Sequence, residues 1–283
     1  MIASQPRQER RTTRPLRALG AVLGIWLAVS LSGGSAVSAR EPLSPREIME
    51  QVTLTRRLDG SEAVVTMTII NAKGQTRERK LSMATKLFEG GRTEKRIYRF
   101  LSPADVEGTG VLVFDYESAA DDVWVYLPSL RKTRRILGAQ RSEGFMGSEF
   151  SYADLNVPAL DDYSYSLLGE EPEGGEPCWL IEVSPKSDEI ARSEGYSKKK
   201  YWVSQAKFVV QRAVYLDLEG RPLKELRNAD FKLLDAKQKR YRPLRMEMVN
   251  LQNSRRSLFT SEQLVFAPGA KDDYFTPRYL ERP

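Results

Sequence analysis

The sequence predicts a mainly β protein with a few helices, built as one large curved antiparallel sheet or barrel. Three observations carry that reading. From about Glu62 onward more than ten segments of strand length follow one another, many with apolar residues at every second position. Short connections rich in Gly, Asn and Asp separate them, so strands adjacent in sequence are expected to pair. An open flat sheet of so many strands tends to curl, which gives it an inner face that apolar groups must fill.

The elements follow in order. Ser44-Pro45-Arg46-Glu47 has capping-box spacing with Pro at the first helical position, and Ile48, Met49 and Val52 supply an apolar face, so a helix is expected over 45–57. Asp59-Gly60 turns the chain into a strand at 62–70, where Val65, Met67 and Ile69 alternate with Val64, Thr66 and Thr68. Asn71-Ala72-Lys73-Gly74 makes a hairpin into 75–87, with Leu81, Met83 and Leu87 in phase. Further strands are expected at 93–101, 111–116, 122–127 and 131–137, and in the second half at 163–168, 178–184, 197–203, 207–218, 222–233, 242–251 and 257–266. The stretch 170–177, Glu-Glu-Pro-Glu-Gly-Gly-Glu-Pro, reads as a loop within one domain.

The N-terminus reads as a secretory signal over 1–39. Arg7, Arg10, Arg11, Arg14 and Arg17 precede an apolar run from Ala18 to Leu31, and Val37-Ser38-Ala39 suits cleavage before Arg40. The run is shorter than the ~20 residues that span a bilayer. A periplasmic, unanchored domain over 40–283 is expected. Removing five Arg and one Glu takes the net charge from +6 to about +2, which argues against a nucleic-acid partner. The single Cys178 has no partner for an internal disulfide and is expected to pack as a small apolar residue.

Chemistry is sparsely provided for. With no histidine, histidine-activated nucleophiles and the usual nitrogen ligands of zinc are missing, so no catalytic residue, metal or cofactor is expected. The pairs Asp121-Asp122, Asp161-Asp162 and Asp272-Asp273 read as solvated turns. Lys198-Lys199-Lys200 reads as a solvated edge.

Two segments are more specific: Phe100-Leu101-Ser102-Pro103 with the later Trp124-Val125-Tyr126-Leu127-Pro128 and a basic strand, and Gly144-Phe145-Met146-Gly147-Ser148-Glu149-Phe150-Ser151-Tyr152-Ala153-Asp154-Leu155. In these residues, and over nearly the whole mature chain, the sequence resembles the outer-membrane lipoprotein-sorting-like proteins of the LolA/LolB-type carrier superfamily. The resemblance implies a half-open antiparallel β-barrel with an N-terminal helix and covering helices or loops over an apolar cavity. It also implies acyl chains of a lipid or lipoprotein as cargo, and an efflux-type inner-membrane exporter as partner.

Residues in the apolar phase of their strands are the candidate cargo-binding set: Val65, Met67, Ile69, Leu81, Met83, Trp124, Tyr126, Met246 and Met248. They serve equally well as core beneath the helices. Phe145, Met146, Phe150 and Tyr152, with Gly144 and Gly147 beside them, form either a gate or a fixed plug. Arg131, Lys132, Arg134 and Arg135 put charge on both faces of one strand, as an aggregation-resisting edge or as a docking surface for anionic headgroups or an acidic partner. The expected function is a monomeric periplasmic carrier that performs no chemical step. The alternative is a sensor or regulatory module of the same fold that binds envelope lipids or a membrane regulator.

Overall fold

The computed structural model describes residues 42–156 and 159–282. The expected signal at 1–39 and its cleavage before Arg40 lie outside the described residues. The chain opens with α1 (Pro45–Arg56), whose capping box forms as the sequence dictates: Ser44 Oγ accepts from the Glu47 amide at 3.3 Å, and the Ser44 amide donates to Glu47 Oε2 at 2.7 Å. Six strands follow: β1 (Gly60–Ile70), β2 (Thr76–Phe88), β3 (Thr93–Ser102), β4 (Gly110–Tyr116), β5 (Asp122–Leu127) and β6 (Lys132–Arg135). Then come β7 (Tyr163–Glu173), β8 (Glu176–Pro185), α2 (Asp188–Glu194), β9 (Lys198–Ser204), β10 (Val210–Leu216), β11 (Pro222–Asp235), β12 (Arg240–Asn250), β13 (Arg256–Ser261), β14 (Val265–Phe266) and α3 (Pro277–Leu280).

All the strands join one antiparallel sheet in the order β6-β5-β4-β3-β2-β1-β13-β12-β11-β10-β9-β8-β7, with β14 pairing to β1 beside β13. The chain therefore starts in the middle of the sheet and walks by hairpins to the β6 edge. It then passes to the β7 edge and walks back to meet β1. One consequence is topological: residues 136–162 connect the two edges of the sheet.

The sheet curls around its inner face without closing. Val125 of β5 and Leu234 of β11 pack on one apolar cluster although seven strand spacings separate them in the sheet order, more than about 30 Å if the sheet were flat. That cluster holds Met67, Leu81, Phe100, Val111, Val113 and Val125, all buried. Registers such as Val65↔Leu81 and Leu81↔Phe100 stack the inward phase of one strand on that of the next. Fully burying a side chain of this kind stabilises by about 1.5–3 kcal/mol, so the inner face is the main support of the fold. α1 covers the β7–β9 part of the same face, with Ile48, Met49 and Val52 against Tyr163, Ile181, Val183 and Val203.

Several elements differ from the sequence reading. The expected loop at 170–177 is the tip of the β7–β8 hairpin, because Gly174 (φ +60°) and Gly175 (φ +79°) make a two-residue turn that keeps the strands paired to Glu173↔Glu176. The expected strand 207–218 starts only at Val210, after a turn in which Phe208 has φ +51°. The expected strand 257–266 breaks after Ser261 and resumes as β14. The reading also missed α2, capped by Ser187 Oγ on the Ile190 amide at 3.3 Å and stopped by Gly195 at φ +82°.

Lys198-Lys199-Lys200 is no edge: β9 lies between β8 and β10, and Lys199 is buried in a 2.5 Å ion pair with Glu194 of α2. Asp121-Asp122 is not a solvated turn either, since both carboxylates are largely covered and bonded to Arg141 and Arg135. Asp161-Asp162 and Asp272-Asp273 are exposed as expected, and Cys178 is buried. Among the described residues no helix is long and apolar enough to cross a membrane.

Candidate functional site

The inner face is occupied by the chain itself. The connection between the two sheet edges folds into it as a compact plug: the Phe145 amide donates to Phe150 O at 2.6 Å, the Tyr152 amide to Glu143 O at 3.1 Å, and Ser148 Oγ to Phe145 O at 2.8 Å. Ser151 and Asp154 cap each other reciprocally, at 3.1 Å and 2.7 Å. Phe145 is fully buried, with ring centroids 5.8 Å from Tyr98, 6.1 Å from Phe100, 5.7 Å from Tyr152 and 6.3 Å from Phe259. It sits where the inward phases of β1 to β5 converge.

Polar contacts hold both ends of the plug. Asp121 at the start of β5 accepts from Arg141 Nη2 at 2.9 Å and from Asn156 Nδ2 at 2.5 Å, so one carboxylate ties the residues entering and leaving the segment. Burial, then the neighbouring Asp115, push the Asp121 carboxyl up to about 6 against the opposing pull of Arg141. The buried Arg96 guanidinium bonds the Asp115 carboxylate and the Leu155 carbonyl. Burial works against its charge, but Glu94 and Asp115 outweigh that and raise it above the ordinary arginine value. Asp154 accepts from the Tyr196 hydroxyl at 3.1 Å, which in turn accepts from Lys224 Nζ at 3.2 Å.

The candidate cargo residues divide. Val65, Met67 and Leu81 are buried on the inner face, with Ile69 and Met83 packed beside them. Met248 is buried and Met246 half-buried in a neighbouring cluster with Phe150, continuous with the first through Phe259. Trp124 and Tyr126 do not belong to this set. Val123 and Val125 take the inward positions of β5, so Trp124 and Tyr126 point outward, where they pack with Leu112, Phe275 and Leu280 under the C-terminal segment. Period-two alternation gives two apolar phases when both faces of a strand are covered, and the sequence reading chose the wrong one.

Of the candidate gate, Phe145, Phe150 and Tyr152 are buried and Met146 is half-buried at the rim. The basic group also divides. Arg131 is in the β5–β6 turn at φ +48° rather than in a strand, and Lys132 begins β6. Arg134 is paired with the inward Val125, and Arg135 lies on the outer face, ion-paired to Asp122 and 6.0 Å from the Trp124 ring.

A recess of about 490 Å³ opens beside the plug tip, lined in part by Ile69, Arg77, Arg79, Met146, Gly147 and Arg255. Arg79 donates to Met146 O, and Arg255 Nη2 donates to Gly147 O at 3.3 Å. Met146 is held at φ +49°, a left-handed conformation costing about 1–2 kcal/mol for a residue with a Cβ. The sequence reading missed Asp121, Arg79, Arg96 and Arg255. The only available signal was phase: Glu94, Arg96, Tyr98 and Phe100 share one face of β3. Among the described residues no group of three or more His, Cys, Asp or Glu gathers as a metal site.

Comparison with known proteins places this geometry. A family model described as "-like: Uncharacterized protein" matches residues 92–282, well over half of the chain. A Vibrio parahaemolyticus structure, provisionally described as an outer membrane lipoprotein-sorting protein domain, is similar with 28% identity and a TM-score of 0.77, covering 84% of this chain and 98% of that one. A DUF1329 family protein from Desulfovibrio piger is similar with 28% identity and a TM-score of 0.77, over 83% and 97% of the two chains. A LolA superfamily protein from Nitrosomonas europaea, at 22% identity, shares the fold with a TM-score of 0.63 over 84% and 100%. No curated protein matches the sequence.

Proposed function

We propose, from the premise that the chain belongs to the outer-membrane lipoprotein-sorting-like family of the LolA/LolB-type superfamily, that it is a periplasmic carrier of acyl chains that performs no chemical step. In this reading residues 1–39 direct export and are removed, and 40–283 form the carrier domain. The cargo is a lipid or the lipid part of a lipoprotein, passed on by or to an inner-membrane exporter.

The observation that carries the proposal is the way the inner face is filled. An apolar surface contributed by many strands is covered by an aromatic residue, Phe145, on a connection that is not part of the sheet. Such a connection can move without breaking any strand pairing. An acyl chain entering in its place supplies about 0.8 kcal/mol per buried methylene, on the order of 10 kcal/mol for a long chain before ordering costs. Displacing Phe145 opposes this by about 1.5–3 kcal/mol, and loosening Phe150 on Phe259 as the plug shifts adds a cost of similar order. Exchange is then close enough to balance for cargo to be taken up and released, as carriage between membranes requires.

The test has two parts. Gentle extraction from the native periplasm followed by native mass spectrometry should find intact lipid bound. Hydrogen exchange should then show the Phe145 and Tyr152 amides losing protection when a delipidated sample takes up a fatty acid, while strand amides keep theirs. Lipid uptake with those two amides still protected would place the cargo elsewhere.

A further inference from the structure

Three arginines meet at the rim recess with little to neutralise them. Among the described residues neither Arg77 nor Arg79 has a carboxylate within ion-pair distance, and Arg255 shares the buried Glu149 through a 2.9 Å contact. Arg79 is half-buried, and burial pulls its guanidinium below the ordinary value. What these groups bind instead is backbone: Arg79 holds the carbonyl of Met146, and Arg255 that of Gly147. Neutral carbonyls are weak substitutes for an anion on a guanidinium, because hydrogen bonds between two charged partners are roughly twice as strong as neutral ones. The plug tip thus places two acceptor oxygens on two cationic donors at the mouth, directly ahead of an aromatic side chain in the apolar interior.

That arrangement has the layout of an amphiphile. Resting on the carrier reading above, we propose that the cargo has an anionic headgroup, a phosphate or carboxylate, which replaces the Met146 and Gly147 carbonyls on Arg79 and Arg255. Its acyl chain takes the place of Phe145. Ile69, which lines the recess and also packs on the inner cluster, marks the passage from head to chain. The strained backbone of Met146 fits this exchange, since releasing the tip relieves a left-handed residue at the moment the anion arrives.

The experiment compares two lipids that differ only in the phosphate, 1-oleoyl lysophosphatidic acid and 1-monooleoylglycerol, binding to the delipidated mature protein. The wild type should bind the phosphate lipid at least ten-fold more tightly. Arg79→Gln and Arg255→Gln should each cut that preference several-fold; because each also frees the plug tip, monooleoylglycerol should bind them at least as tightly as it binds the wild type, and Arg79→Lys should keep most of the preference. Monooleoylglycerol binding itself reports that each variant is folded. Inorganic phosphate alone should compete only at far higher concentration. Equal affinity of the wild type for the two lipids would overturn the headgroup assignment and leave the carrier reading intact. Phosphate competing as well as the phosphate lipid would make the recess a free-anion site and overturn the assignment. Binding of neither lipid would overturn both readings.

Discussion

Phe150 lies nearly flat on Phe259, with ring centroids 4.4 Å apart and planes 24° from parallel. Phe259 stands on β13, in register with Met67 of β1 and Met246 of β12, so this stack fastens the crossover to the seam where the two halves of the sheet meet. Phe145 fills the space beyond it. The two aromatics therefore do different things: one anchors the plug, and the other occupies the volume assigned above to cargo.

Replacing Phe145 by Ala should separate those roles. The change should lower stability by about 3–5 kcal/mol, the usual cost of an emptied aromatic site. It should also tighten binding of a fluorescent fatty acid, because the chain's own competitor has gone. Phe150→Ala should destabilise to a similar degree and speed exchange of the probe. Urea unfolding beside a fluorescence titration measures both, and a destabilised Phe145→Ala with unaltered probe affinity would mean that plug and cargo do not compete. Gly147→Pro is uninformative here, since proline cannot adopt the φ of +79° found at Gly147.

Asp121 gives a pH dependence of definite sign. Its carboxyl lies near 6 in the folded protein against 3.8 for an ordinary aspartate, chiefly through burial. Between those values the folded chain holds a proton that the unfolded chain has released, so stability should rise as pH falls from 7 toward 4. Below about 4 the trend reverses, as Glu47, Glu176, Glu262 and Asp217, all held low by hydrogen bonds, become protonated. Asp121→Asn should remove on the order of 1–3 kcal/mol of the stability change between pH 7 and 4.5. An unchanged slope in urea midpoints would assign the effect to another group.

The Lys199–Glu194 pair offers a direct cycle. Lys199→Met should cost about 3–5 kcal/mol because it strands a buried carboxylate. Adding Glu194→Gln should recover part of that loss, with coupling on the order of 1–3 kcal/mol. Lys198→Ala, on the exposed neighbour, should stay within about 0.5 kcal/mol of wild type. Strictly additive losses would show that the two side chains do not act as a pair.

Processing is the simplest expectation to check. N-terminal sequencing of protein released by osmotic shock should begin at or near Arg40. Recovery only in detergent, with Met1 retained, would identify an uncleaved anchor instead.

The strand plan was legible in the sequence because alternation and turn chemistry are local. Ser44 with Glu47, and Asn71 with Gly74, specify their cap and hairpin from within four residues. Which face is inward was legible only where one phase is polar. On β1, Val65 and Met67 alternate with threonines, and the assignment held. On β5, Val123-Trp124-Val125-Tyr126 is apolar in both phases because α3 and its approach cover the outer side, and nothing in the strand itself says so. The buried charges were illegible for a related reason. Lys199, Asp121 and Arg96 look like surface residues until Glu194, Arg141 and Asp115 come against them: Glu194 is five residues from Lys199 but on α2, which the alternation pattern does not reveal, and the other two partners are about twenty residues away in sequence.

The open sheet has one further consequence, for how copies of the protein treat one another. Among the described residues its two edges carry side chains of opposite charge: β6 has Lys132, Arg134 and Arg135, the last ion-paired to Asp122, while β7 ends in Glu170, Glu171 and Glu173, the last ion-paired to Arg212 and Arg227. Two β6 edges repel, as do two β7 edges, but a β6 edge of one molecule attracts a β7 edge of the next, which is the head-to-tail geometry that grows fibres rather than closed dimers. Three features blunt that pairing. β6 is four residues long, the β7 ladder slips at Leu167/Gly169, and Pro172 removes a donor near its end. The shortness of one strand and the irregularity of the other thus work against pairing between copies.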